Sequence, residues 1–247
     1  MWNMATSSVT AAVVIFAASS AAAGDGLYRY DWSGAYVGAN IGGTWGDSDL
    51  TENLPPFLAL IPGAPTSFND SFGVSGWQGG VQVGVNKQFT NHLVIGGELR
   101  LNSADVSGST DDCAGSATLT GGILNVNCST DLTWMVLGLG RIGWADDHWM
   151  VYGTGGVALA GLEHDVRVDL VGTPILANSQ SDVAHGWALG VGGDYAITSA
   201  VSVGLEYLHT DLQSHGDGLL LGGVLTTGDR DMETDSINGH INVKVGG

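Results

Sequence analysis

The chain has 247 residues, 40 of them glycine, and a formal net charge of −18 from 7 Lys plus Arg against 25 Asp plus Glu. That balance excludes nucleic-acid binding, because phosphate contacts need a basic face; a basic or cation-bridged partner suits it better. Helix formers are scarce while Gly, Ser, Thr, Val and Asn abound, so an all-β class is expected.

Residues 1–23 read as a secretory signal peptide. An apolar stretch around Val9 to Ala18 is followed by small residues, with Ala21 and Ala23 suiting a cleavage site, although the segment before it lacks Lys and Arg. The apolar run is shorter than the roughly 20 residues that span a bilayer as a helix, and later segments offer no better candidate. A membrane-embedded mature chain, residues 24–247, would therefore have to be a barrel.

The first strand is expected within Tyr28–Gly46, where Val37, Ala39, Ile41 and Trp45 share one parity and Tyr36, Asn40 and Thr44 the other. Asp47 to Ser71 is polar and proline-bearing and reads as a long loop. Gly76 to Phe89 alternates with little interruption, Trp77, Val81, Val83 and Val85 against Gln78, Gln82, Asn86 and Gln88. A turn at Thr90-Asn-His leads into a third strand, Leu93 to Asn102, with Glu98 and Arg100 opposite the aliphatic face. Residues 103–131 form a second long loop that holds Cys113 and Cys128. A disulfide there would stabilise by about 3 kcal/mol in the chain-entropy model; two free thiols are the alternative, and no neighbouring His or Cys completes a tetrahedral metal set.

Leu132 to Leu162 reads as a hairpin, two glycine-rich apolar runs around the turn Ala145-Asp-Asp-His148. Its Gly138-Leu-Gly-Arg-Ile-Gly143, with Glu163 further on, formally matches a dinucleotide fingerprint. That motif needs a strand before it and a helix after it, whereas here a turn and a second strand follow. A third long loop is expected from about Glu163 to Asp182, then strands around Trp187 to Tyr195 and Val201 to Tyr207 across the turn Ile197-Thr-Ser. A fourth loop and a last strand from Ile237 to Val245 complete eight.

Long and short connections alternate strictly, and most acidic residues fall in or beside the long ones. This is the layout of an eight-stranded antiparallel up-and-down transmembrane β-barrel with four long loops at one end. A soluble barrel or sandwich would show the same alternation with its oily row turned inward. Aromatic residues at strand ends (Trp45, Trp77, Phe89, Trp134, Trp144, Trp149, Trp187 and Tyr195) suit a girdle at the two lipid headgroup levels. Glu98, Arg100, Arg141, Glu206 and Lys244 on the other parity would form an internal polar network that holds the barrel closed.

Asp31-Trp-Ser-Gly-Ala-Tyr-Val-Gly38, Gly76-Trp-Gln-Gly-Gly-Val-Gln-Val-Gly-Val-Asn86, Gly96-Gly-Glu98, Gly140-Arg-Ile-Gly-Trp144 and Val151-Tyr-Gly-Thr-Gly-Gly-Val-Ala158 resemble the eight-stranded outer-membrane surface-antigen, porin-like proteins of α-proteobacteria. The resemblance covers most of the mature chain. It implies a non-catalytic barrel in the Gram-negative outer membrane, among lipid and lipopolysaccharide, inserted by the outer-membrane assembly machinery, with host or ligand contacts through acidic loops. Relatives usually end on an aromatic residue, whereas this chain ends Val245-Gly-Gly.

The leading expectation is a structural or surface-interaction role as adhesin, antigen or porin-like protein, with no cofactor. An alternative is hemin or cation binding at the loops through His164, His185, His209 and His215. A weaker one is a rim-sited lipid-modifying enzyme built on Asp235, Ser236 and His240. A wide diffusion channel is disfavoured, because eight strands leave an interior that side chains fill.

Overall fold

The computed structural model describes residues 30–53, 67–110, 124–170, 173–217 and 227–245. The expected signal peptide at 1–23 and Cys113 lie outside them. Eight strands follow in chain order: β1 (Gly34–Asn53), β2 (Ser67–Gln88), β3 (Leu93–Thr110), β4 (Leu124–Asp146), β5 (Trp149–Leu170), β6 (Thr173–Ala196), β7 (Val201–Asp217) and β8 (Thr227–Val245). Each pairs antiparallel with its chain neighbour, and β1 also pairs with β8 from Ala35↔Val245 to Glu52↔Gly228, closing the barrel.

The short connections are tight turns. Phe89 donates its N–H to Leu93 O at 2.8 Å, and His92 and Asp147 take the left-handed conformation, with φ of 67° and 46°, which polar His and Asp tolerate better than most residues. The strand hairpin expected over Leu132 to Leu162 is β4–β5, which disposes of the dinucleotide motif: Gly143 is followed by a turn and β5, with no helix N-terminus to receive a pyrophosphate.

Even-numbered side chains point inward on every strand except the lower part of β4. There the register shifts between Leu132 and Trp134, so Thr130 and Leu132 are buried above the bulge while Met135, Leu137, Leu139 and Arg141 are buried below it. A bulge adds one residue to one strand and so exchanges its two faces.

The aromatic residues stand outward in two bands. Trp45, Trp77, Trp134 and Trp187 form the upper one, and Phe89, Trp144, Trp149 and Tyr195 the lower one beside the turns; all eight are exposed. Between them Ile41, Val83, Leu101, Val157, Leu189 and Leu205 cover the outer wall. The intervals from Trp77 to Phe89 and from Trp134 to Trp144 match the roughly 9–11 tilted residues that cross the hydrocarbon.

The strands are longer than the sequence suggested. Much of each expected loop at 47–71, 103–131 and 163–182 is strand: β5 runs to Leu170, and β6 starts at Thr173. The reason is a reversal of the alternation. Above the upper tryptophans the inward residues Phe72, Val74, Val106, Leu132, Leu162, Leu212 and Met232 are buried apolar groups of one cluster, which continues downward through Leu137, Leu139 and Leu208. The outward positions there carry Asp47, Asp49, Glu163, Asp165 and Asp231. Oily-out below and oily-in above are the two competing readings of the sequence, and one wall satisfies both at different heights. A 22-residue strand such as β5 extends about 70 Å along its own axis at about 3.3 Å per residue.

The start of the chain also departs from expectation. Strand pairing begins at Gly34, and Tyr30 and Trp32, read as part of strand one, are buried in the barrel mouth. The reversal sets an asymmetric response to truncation. Leu132→Ala should cost about 3–5 kcal/mol, transfer loss plus cavity, while Leu205→Ala, on the lipid side, should cost only the transfer loss of about 2 kcal/mol because lipid chains fill the gap. Urea unfolding of the vesicle-embedded protein measures both.

Candidate functional site

Midway down the lumen five charged side chains from four strands form one connected network. Arg100 donates from Nε and Nη2 to Glu98 Oε1 (3.1 and 2.6 Å) and from Nη1 to Glu206 Oε1 (2.7 Å). Arg141 donates from Nη2 to Glu98 Oε2 (3.0 Å) and from Nη1 to Asp194 Oδ2 (3.4 Å). Tyr36 Oη donates to Glu98 Oε2 (2.7 Å), and His240 Nε2 meets Asp194 Oδ1 at 2.6 Å. All of these side chains are buried.

The Arg141 guanidinium is also held between aromatic faces, 4.0 Å from the Tyr152 ring centroid and 5.8 Å from that of Tyr36. Gly84 and Gly192 make this possible. A Cβ at Gly84 would strike the Tyr36 ring, and one at Gly192 the Tyr152 ring. Beside the charges, Gln78, Gln82, Asn40, Asn102, Asn238 and Asn242 exchange side-chain hydrogen bonds across β1, β2, β3 and β8.

Glu98, Arg100, Arg141 and Glu206 are thus brought together, and Lys244 requires correction. Its position near the end of β8 puts it at the rim, where Nζ donates to Asp31 O at 2.6 Å and lies 5.4 Å from the Tyr30 ring. A long stem lets the ammonium reach out of the lumen toward water. Asp194, His240, Tyr36 and Tyr152 join the network beyond the residues expected from the sequence. Each sits on the inward parity, which was the available signal, but parity alone does not say which strands meet across the lumen.

The outer wall above the upper tryptophans is the second feature. Carboxylates lie directly opposite one another across strands: Asp47↔Glu233 and Asp49↔Asp231 between β1 and β8, Asp211↔Glu233 between β7 and β8, and Asp131↔Glu163 between β4 and β5. Like charges in that relation destabilise a sheet. Partial burial, then Asp165, Glu163 and Asp105, push the Asp131 carboxyl above its ordinary range. At the level of the tryptophans themselves the cross-strand pairs are Trp45↔Asp235, Trp77↔Asp105 and Trp187↔Asp211.

This architecture has relatives. Residues 8–244 match the model of the outer membrane protein beta-barrel domain. The chain belongs to that family. The 31 kDa outer-membrane immunogenic proteins of Brucella melitensis biotype 1 and Brucella suis biovar 1 are each 32% identical to it over 211 residues, covering 84% of this chain and 82% of theirs. Among solved structures it is similar to OprG from Pseudomonas aeruginosa, at 14% identity and a TM-score of 0.48 over 89% of this chain and 99% of that one. Neisserial surface protein A matches at 13% identity and a TM-score of 0.39, over 86% and 98%. The family places the protein in the Gram-negative outer membrane, as its sequence motifs suggested.

Within this outer-membrane barrel the other candidate sites do not assemble. Ser236 Oγ donates to Leu208 O at 3.3 Å and His240 engages Asp194, both inside, whereas Asp235 is outside, accepting from Tyr207 Oη at 2.6 Å and meeting His209 Nδ1 at 2.9 Å. The wall separates Asp235 from the other two. His185 and His209 lie on the outer wall of adjacent strands, and the side chains of His164 and His215 lie outside the described residues. No group of three or more metal-binding side chains occurs among the described residues. Cys128 is buried on β4.

Arg141→Leu is expected to lower the unfolding free energy by roughly 3 kcal/mol, because Asp194 and Glu98 are left under-compensated in a closed interior. Arg141→Lys should recover only part of that, since an ammonium lacks the planar fork and ring stacking of a guanidinium. Denaturant titration in vesicles reads both. The raised Asp131 carboxyl makes the folded state lose stability as pH climbs from the ordinary carboxylate value of 3.8 through the raised one. Asp131→Asn should therefore raise the thermal midpoint at neutral pH, and that gain should vanish when both proteins are melted below the ordinary value.

Proposed function

We propose that this protein is a non-enzymatic surface barrel that displays an acidic outer wall for contact with cationic partners and does not conduct solutes. The single observation that carries the reading is the occupied lumen. Arg100 and Glu206 are each 1% exposed and Leu137 and Leu212 are fully buried, so charged and apolar layers both lie across the path a solute would take.

The wall supports the interaction half of the reading. Opposed carboxylates such as Asp47, Glu233 and Asp211 cost stability in the bare protein, a cost that a cationic or cation-bridged partner would offset. Host molecules with basic surfaces fit this chemistry. Outer-leaflet lipid and lipopolysaccharide fit the tryptophan band beneath it, and insertion by the outer-membrane assembly machinery follows from the barrel form. The immunogenic character in the names of the Brucella relatives agrees with display at the cell surface. A Cys113–Cys128 bridge is part of the proposal, tying the start of β4 to the chain before it.

Purified protein in planar bilayers should give no unitary conductance above the lipid background, and a stable open channel would refute the non-conducting reading. On intact cells Glu233→Cys should react with a membrane-impermeant maleimide. Binding of a polylysine probe to those cells should weaken as salt rises from about 0.15 to 1 M, because the Debye length falls from about 8 to 3 Å. Salt-independent capture would remove the electrostatic basis.

A further inference from the structure

The short-turn end of the barrel, periplasmic in this layout, is closed by a piece of chain that belongs to no strand. Tyr30 and Trp32 are 7% and 5% exposed, their ring centroids 4.6 Å apart at 64°. They fill the mouth against Val94, Ala145, Met150, Tyr152 and Ala196, the inward residues at the ends of β3, β4, β5 and β6. Gly34, with φ of 126°, turns the chain from β1 into the lumen, a backbone conformation that favours glycine.

Three hydrogen bonds strap the segment down. Trp32 donates its N–H to Gln88 Oε1 at 3.0 Å, Gln88 donates its N–H to Ser33 Oγ at 3.0 Å, and Lys244 Nζ donates to the Asp31 carbonyl at 2.6 Å. Gln88 and Lys244 stand on β2 and β8, the two neighbours of β1, so the segment is held from both sides of its own strand. The Lys244 ammonium also lies over the Tyr30 ring. These three hydrogen bonds all lie at the rim.

Behind the segment is a cavity of about 20 Å³, lined by Trp32, Tyr36, Asn86, Arg141, Asp194 and Ser202 among others. Trp32 Nε1, Arg141 Nε and Asn86 Oδ1 are buried and have no hydrogen-bond partner within the protein. Two donors and one acceptor around a space sufficient for about one water molecule are the conditions under which a buried water is held.

We propose that Tyr30–Ser33 is a plug, hinged at Gly34, that shuts the periplasmic mouth over a hydrated chamber at the Arg141 end of the ion network. Seated, it keeps the Arg141–Asp194 pair and its water out of contact with bulk solvent. Swung out, it exposes Ser202, Asn242 and Arg141 to the periplasm. The Arg100–Glu98–Glu206 layer and the apolar cluster above it still block the lumen, so the chamber opens on one side only.

The test uses full-length protein in lipid vesicles, with Cys113→Ser and Cys128→Ser removing other thiols, and follows the rate at which an impermeant maleimide labels Ser202→Cys from the periplasmic side. Labelling is expected to be slow with the plug intact. It should become at least about tenfold faster when Tyr30→Ala and Trp32→Ala abolish the seated state, because reaction then no longer waits on a minor open population. Lys244→Met, which cuts one strap and leaves the rings, should give an intermediate rate in a barrel that keeps its heat-modifiable gel mobility. Leu137→Cys, deep in the apolar cluster, should stay unlabelled throughout. Equal Ser202→Cys rates with and without the rings overturn the proposal. So does equal acceleration at Leu137→Cys, which would mean that the whole lumen had opened.

Discussion

In hydrocarbon an unpaired backbone N–H or C=O costs several kcal/mol, and a sheet carries a row of them at each edge. The pairing of β1 with β8 along nearly their whole length removes both edges at once, and the rest of the structure follows from that closure. A closed ring of eight strands fixes a lumen too narrow to be left as an aqueous pore and too wide to be left empty. Every inward position is therefore under pressure to be filled or paired.

The filling is layered. Rings of Tyr30 and Trp32 occupy one mouth, the ion network and its amides the middle, and the apolar cluster around Leu132, Leu137 and Leu212 the rest. Buried ion pairs are a weak source of net stability, since a well-packed apolar replacement of one is often neutral or better. What they supply is correspondence between distant strands. Arg100 on β3 reaches Glu206 on β7, and Arg141 on β4 reaches Asp194 on β6, contacts that exist only when the strands close in the right order and register. A one-residue slip of β3, β4, β6 or β7 would turn its charge into lipid.

The outer wall records two solvents. Between the aromatic bands lipid replaces water, and aliphatic residues face outward; above them water returns, carboxylates face outward, and the interior becomes an ordinary apolar core. The boundary is marked by tryptophans that sit beside aspartates across the strand. Above that boundary the strands carry a tall acidic wall, so the water-facing surface there is built on sheet and not on loops alone.

The sequence by itself determined the all-β class, the eight strands, the short turns and the two aromatic bands, because side-chain alternation has a period of two and turn residues are local signals. Parity also put Glu98, Arg100, Arg141 and Glu206 on one face. Parity could not see three other features. Strand continuation past Trp45 or Trp187 was hidden because acidic residues on a water-facing strand have the composition of a loop. Asp194, the partner of Arg141, and His240, which in turn engages Asp194, were hidden because they come from β6 and β8, far away in the chain, and meet only across a closed lumen. The inward turn of Tyr30 and Trp32 was hidden because an aromatic pair ahead of a strand reads as more of that strand until the barrel mouth is there to receive it. Those three are matters of which residues face one another in space, and only closure of the barrel decides that.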